Sequence, residues 1–186
     1  MKNFKLLILT LLTVTMFTSC NDNDPEPVNE EEVITTLIAT LTPQGSTTSI
    51  ELRSTDLDGD GPNAPVITVS GNLTANTTYT GVMRVLNETE TPAEEITDEV
   101  AAEDDEHQFF FTPANNIVTV AYADMDGDGN PVGINFTLTT GAAGTGNLTI
   151  TLVHEPVKTA AGVSGGDITN AGGEIDVEAT FTITVQ

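Results

Sequence analysis

The fold is decided by the stretch IDVEATFTITV at residues 175–185. Apolar and polar side chains alternate along it without a break, and the apolar positions are Ile175, Val177, Ala179, Phe181, Ile183 and Val185. A period of two is typical of a β-strand with one face on a core and the other in water. The stretch therefore predicts such a strand, with all six apolar side chains on the buried face.

Similar short segments recur through the rest of the chain between Gly, Asn, Asp and Pro. They predict eight further strands, at residues 33–41, 47–54, 65–69, 77–86, 108–112, 117–123, 133–139 and 148–154. Because no long helical period accompanies them, we expect an all-β fold, an antiparallel β-sandwich of immunoglobulin-like or Greek-key type. The single cysteine excludes the version with a buried disulfide.

One segment departs from this pattern and predicts a short helix at residues 92–103. It contains an N-cap, a proline at the first helical position, a capping-box glutamate and an apolar pair four residues apart: Thr91, Pro92, Glu94, Ile96 and Val100. The helix would cross over between two strands and expose a strongly acidic surface.

The charge of the chain limits its partners. Its 186 residues include 28 acidic and 5 basic side chains, while 38% are apolar. This composition is that of a globular domain, and the length favours one domain, at residues 33–186. A negative field of this size repels phosphate backbones and anionic lipid headgroups, so nucleic-acid binding is excluded. Cations, basic proteins and neutral ligands remain.

A near-repeat provides candidate calcium ligands. The pattern D-x-D-G-D-G occurs at residues 56–61 and 124–129, each time between two predicted strands, and predicts corresponding hairpins in the two halves of a sandwich. The candidate ligands are Asp56, Asp58, Asp60, Asp124, Asp126, Asp128 and Asn130. Position 12 of each loop, Ile67 or Asn135, lacks the glutamate of an EF-hand. The alternative is that Asp-Gly merely turns the chain.

The two histidines are candidate transition-metal ligands. Both are close to carboxylates, and the candidate set is Glu103, Asp105, Glu106, His107, His154 and Glu155. If their strands are neighbours, imidazole and carboxylate groups could bind zinc or copper. The alternative is a pair of strand-end histidines, one of them stabilised in its charged form by nearby acids.

No set of residues indicates catalysis. The string G-x-S-x-G at residues 162–166 lacks the preceding strand and following helix of a nucleophile elbow. It lies in a long loop, residues 156–173, which could join the Asp-rich turns at one end of the sandwich as a binding surface, or could be a floppy connection. We therefore expect a protein that is not an enzyme.

The N-terminus predicts export. Lys2 and Lys5 precede an apolar run at residues 6–17 and then Thr18-Ser19-Cys20, a pattern that resembles a bacterial lipobox. We interpret residues 1–19 as a signal peptide and Cys20 as the lipidated residue. Cleavage would leave three basic against 28 acidic side chains, a formal charge of −25. Residues 20–32 then form an acidic tether, which resembles the surface-export signal of Bacteroidetes lipoproteins.

Taken whole, the chain resembles a group of small Bacteroidetes outer-membrane lipoproteins encoded beside TonB-dependent transporters. The likeness extends from the lipobox and tether to DLDGDG at residues 56–61, EHQFFF at 106–111 and GGDITNAGG at 165–173. It implies a lipid anchor in the outer membrane, at the cell surface, and a TonB-dependent β-barrel as partner. Our leading hypothesis is a non-enzymatic accessory subunit that captures a ligand, such as a cation. The alternative is a calcium-stiffened structural or adhesion module.

Overall fold

Two antiparallel sheets face each other around one core, which confirms the predicted all-β sandwich. The computed structural model describes residues 32–59 and 61–186. The predicted signal peptide, Cys20, most of the tether and Asp60 lie outside the described residues.

All nine predicted strands are confirmed, and one two-residue strand, β5, is additional. The larger sheet contains Thr36–Pro43 (β1), Ile50–Thr55 (β2), Val66–Val69 (β3), Thr78–Asn87 (β4), Glu94–Glu95 (β5), Val118–Tyr122 (β7) and Asn135–Thr140 (β8). The smaller sheet contains His107–Pro113 (β6), Gly144–His154 (β9) and Glu174–Val185 (β10).

The order of the strands is that of a Greek key. The larger sheet runs β3-β2-β1-β4-β8-β7, with β5 paired to the end of β4, and the smaller runs β10-β9-β6. Three consecutive strands are thus followed by a fourth that returns beside the first. The backbone of Leu73 bonds to Thr184 and Gln186, both at 2.8 Å, so the chain end closes one edge between the sheets.

The core is filled by the inward rows of both sheets. Its fully buried aromatic side chains are Tyr79, Phe109, Phe136 and Phe181. Each such side chain stabilises the fold by about 1.5–3 kcal/mol through burial. Gly81 of β4 lies directly opposite Phe136 of β8, and a Cβ at Gly81 would overlap the Phe136 ring. The glycine therefore provides the space that this ring occupies.

The outer face of the smaller sheet carries a second, small core. Phe110 and Val153 point away from the sandwich and pack against Val163 and Ala171 of the long loop. The loop contains two short 3-10 turns, Val163–Gly165 and Ile168–Asn170. Residues 156–173 are thus packed onto the sheet. The loop has mostly small side chains, which let its backbone approach the sheet closely.

The helix Thr97–Ala102 (α1) is shorter than predicted. Ile96 and Val100 are buried, as expected of the apolar pair, and the helix does cross over between strands of the two sheets. The predicted start was wrong: Glu94 pairs with Asn87 as part of β5 and forms no capping box. Among the described residues, no helix is long and apolar enough to span a bilayer.

The two Asp-rich turns each connect an antiparallel hairpin, β2 to β3 and β7 to β8. The prediction that these hairpins occupy the two halves of the sandwich was wrong. Both belong to the larger sheet, where they form its opposite ends. A repeat in sequence specifies a hairpin but not the sheet in which the hairpin pairs.

Replacing Gly81 with alanine should lower the free energy of unfolding by about 1–3 kcal/mol, because the added methyl must displace the Phe136 ring in a packed core. Urea unfolding of the purified protein measures the change. Gly165→Ala is the matched control, since a Cβ there meets nothing within 4 Å. Equal effects of the two substitutions would contradict this account of the core.

Candidate metal centre

The two histidines meet at one end of the smaller sheet. His107 is the first residue of β6 and His154 the last of β9, and the register places them directly opposite each other. Both face inward, in the same rows as Phe109 and Leu152. Their rings stack with centroids 4.7 Å apart and an interplanar angle of 10°. The condition set by the sequence, that the two strands be neighbours, is met.

The ring of His107 is fully buried and its tautomer is defined by the backbone. Nδ1 lies 3.1 Å from the carbonyl oxygen of Glu103. A carbonyl can only accept a hydrogen bond, so Nδ1 carries the proton. Nε2 then either presents its lone pair or carries a second proton. A backbone carbonyl on the distal nitrogen is a typical support of a metal-binding histidine.

Glu32 faces the free nitrogen of His107. Its side chain is 3% exposed, and Oε1 lies 3.3 Å from Nε2. Within the described part of the chain, neither of its carboxylate oxygens nor His107 Nε2 makes a hydrogen bond. Burying such groups without partners is costly. The last residue of the predicted tether is therefore part of the site.

A β-bulge brings Asp176 to the same place. The pairing of β10 with β9 shifts between Ile175 and Val177, so Asp176 is the extra residue. Its side chain is 6% exposed, and Oδ2 lies 4.0 Å from His107 Nε2. The predicted inward position of Ile175 was wrong: the bulge reverses the alternation, and Ile175 is 60% exposed.

The carboxylates near His154 are more exposed than those of Glu32 and Asp176. Glu106 Oε2 lies 3.7 Å from His154 Nε2, and the Glu106 side chain is 46% exposed. Glu155 adopts a left-handed backbone conformation, with φ of 50°, and its amide donates to the Glu106 carbonyl at 2.6 Å. Gly173, at φ of 70°, packs against this turn, where a Cβ would overlap the His154 carbonyl.

Two overlapping sets of ligand atoms result. Glu32, His107 and His154 form the inner cluster, and Glu106, His154 and Glu155 form the outer cluster. In each cluster, one potential ligand atom per residue lies within 4.8 Å of the others. Imidazole nitrogens with carboxylate oxygens are ligands of zinc and copper.

The structure brings together four of the six residues predicted for this chemistry. Glu106, His107, His154 and Glu155 belong to the clusters, whereas Glu103 contributes its carbonyl and Asp105 is exposed and belongs to neither. Sequence reasoning missed Glu32 and Asp176. Glu32 is one of three consecutive glutamates, and nothing in the sequence distinguishes it from the other two. No pattern in residues 175–185 predicts the bulge at Asp176.

The second Asp-rich turn is held by bonds from the protein itself. The amides of Gly133 and Asn135 donate to Asp124 at 2.7 and 2.6 Å. Asp126 accepts from the amides of Asp128 and Asn130, and from Lys158 Nζ at 3.0 Å. Asp128 is exposed. These hydrogen bonds account for the conformation of the turn without a bound ion.

In the first turn, Asp58 accepts from the Asn63 side chain at 2.6 Å. One oxygen of Asp56 is buried without a hydrogen-bond partner among the described residues. Asp60 lies outside those residues. Calcium at either turn stays a prediction.

Lys158 was not singled out in the sequence, yet it joins the long loop to the second turn. The Lys158 and Asp126 side chains are 4% and 1% exposed, and the ammonium also donates to the Asp104 carbonyl. Burial disfavours the Asp126 carboxylate, but the Asn130 amide and Lys158 together hold the pKa of Asp126 below its ordinary value.

The comparisons with known proteins identify no relative: no family model matches the chain, and no curated protein or solved structure does so.

Asp126→Asn should lower the free energy of unfolding at pH 7 by about 3–5 kcal/mol, because it leaves the Lys158 charge buried and unpaired. A lowered native pKa contributes stability above the ordinary pKa, which is lost as the pH falls through the native value. Between pH 7 and 3, the wild type should therefore lose more stability than the variant. Urea unfolding across this range measures both effects.

A second substitution tests the cause. Lys158→Met in the Asp126→Asn background removes the unpaired charge and should recover part of the loss. If the double variant is no more stable than Asp126→Asn alone, the penalty does not arise from the ammonium group.

Proposed function

We propose that the protein is a non-enzymatic, lipid-anchored surface lipoprotein that captures a divalent transition-metal ion in the inner cluster, as accessory subunit of a TonB-dependent outer-membrane transporter. The observation that carries the metal-binding part is the buried contact between His107 Nε2 and Glu32 Oε1 at 3.3 Å, with no hydrogen bond at either atom.

A positive charge is needed between these two groups. With Nδ1 of His107 donating to Glu103, a neutral ring presents the Nε2 lone pair to the carboxylate of Glu32. Two acceptors facing each other in a dry site are unfavourable. Either a second proton on His107 or a metal ion relieves this. A proton gives a structural ion pair, whereas a metal ion can also use His154, which stacks on His107.

The ligand types favour zinc or copper over calcium. Calcium takes six to eight oxygen ligands, whereas zinc accepts two imidazoles and a carboxylate at about 2.0–2.2 Å. Tetrahedral ligands at that bond length are about 3.4 Å apart. The separation of His107 and Glu32 is 3.3 Å. The other ligand atoms of the inner cluster, within 4.8 Å, must move closer, and the stacked rings of His107 and His154 must tilt so that both nitrogens face one ion.

The location and partner rest on other observations. The signal peptide, Cys20 and the acidic tether support a lipid-anchored surface protein. The cleaved chain, with three basic against 28 acidic side chains and a formal charge of −25, attracts cations. The accessory role at a TonB-dependent transporter rests on the resemblance to the Bacteroidetes lipoproteins.

The detergent-solubilised protein should bind Zn²⁺ or Cu²⁺ in isothermal titration calorimetry. Removing an outer-shell partner already weakens metal affinity about tenfold or more. His107 is a proposed ligand, so His107→Ala should weaken the affinity by at least about tenfold. Asp105→Asn is the matched control and should bind like the wild type, because Asp105 belongs to neither cluster. A wild type that binds neither metal, or an unchanged affinity in His107→Ala, would refute metal capture at this site.

The partner can be tested separately. Mild detergent extraction of the native lipoprotein should co-purify a β-barrel transporter, which mass spectrometry would identify. A structural or adhesion module with no transport role should be recovered alone, and that result would contradict the accessory role while leaving metal binding intact.

A further inference from the structure

The two clusters share one residue and differ in their access to solvent. His154 belongs to both, and its side chain is 11% exposed. Glu106 in the outer cluster is 46% exposed, whereas His107 and Glu32 in the inner cluster are 0% and 3% exposed. Exposure thus falls stepwise from Glu106 through His154 to His107.

We propose that the outer cluster is the entry station for the inner one: a hydrated divalent transition-metal ion binds first to Glu106 and Glu155, and His154 then transfers it to His107 and Glu32. This inference rests on the proposed capture of a metal ion by the inner cluster. It assigns to the outer cluster a role in exchange rather than in final binding.

The need for such a station follows from burial. A metal ion must lose its bound water to enter the inner cluster, because His107 and Glu32 are buried. Those two side chains cannot replace the lost water until the ion has reached them. The exposed carboxylates of the outer cluster can exchange water for ligand oxygen one step at a time. Because His154 Nε2 lies 3.7 Å from Glu106 and the His154 ring stacks on His107, His154 links the two clusters.

The outer cluster is also held in place by the backbone. Glu155 adopts a left-handed backbone conformation, with φ of 50°. The bond from its amide to the Glu106 carbonyl fixes the two glutamates relative to each other. Gly173 closes the turn from the other side.

General attraction by the acidic surface is the competing explanation for rapid uptake, and a charge-matched control separates the two. Glu106→Gln with Glu155→Gln removes two negative charges from the outer cluster. Asp98→Asn with Asp105→Asn removes two negative charges from exposed residues of the acidic segment that precedes His107, and neither residue belongs to a cluster.

The experiment follows Co²⁺ binding to the solubilised protein by stopped-flow absorbance, and its release into excess chelator. In the outer-cluster variant, association and dissociation should both slow by the same factor, well beyond any change in the control variant, while the equilibrium Kd stays that of the wild type. A station on the path lowers the same barrier in both directions, so its loss leaves the equilibrium unchanged. The control variant should keep near wild-type rates.

Other results would overturn the entry station. Rates equal to those of the control variant would show that Glu106 and Glu155 act only through their charge. A weaker Kd with faster release would show that they are ligands of the final site. In both cases, capture by the inner cluster still stands. If the wild type binds no Co²⁺, Zn²⁺ or Cu²⁺, the proposed function itself fails.

Discussion

The register between β6 and β9 is the constraint on which the rest of the structure depends. It places His107 opposite His154, and the same register stacks Phe109 on Leu152 and Phe111 on Ile150 in the core. A shift of β6 by one residue would turn His107, Phe109 and Phe111 to the other face of the sheet, away from His154 and the core. The apolar rows that hold the sandwich together therefore also hold the candidate metal centre together.

Much of the fold could be predicted from the sequence because turn residues separate segments that alternate cleanly. The errors lie where tertiary contacts overrule a local pattern. Glu94 had the position of a capping-box residue but pairs with Asn87 in a strand. Ile175 continued a perfect alternation, yet the bulge at Asp176 exposes it. Neither contact has a signature in the neighbouring residues.

The candidate site was predicted only in part, for a related reason. His107 and His154 stood out as the two histidines of an acidic chain, and carboxylates beside them in sequence are beside them in space. Glu32 and Asp176 come from the first and last segments of the domain, and only the folded sheet reveals them. Asp126 is the opposite case, because it stood out in the sequence as a calcium ligand. In the fold its carboxylate bonds to backbone amides and to the buried Lys158.

The distance in sequence between these residues has a consequence for when the site exists. Glu32 precedes the first strand, and Asp176 lies in the last, whose end bonds to Leu73 to close the sandwich. Contacts between segments so far apart in sequence require both segments to be present and the chain between them to be closed into a loop. A chain exported unfolded, as its predicted signal peptide implies, cannot assemble the inner cluster until translocation is complete. On the proposed function, the metal ion would then bind only after export, outside the cytoplasm.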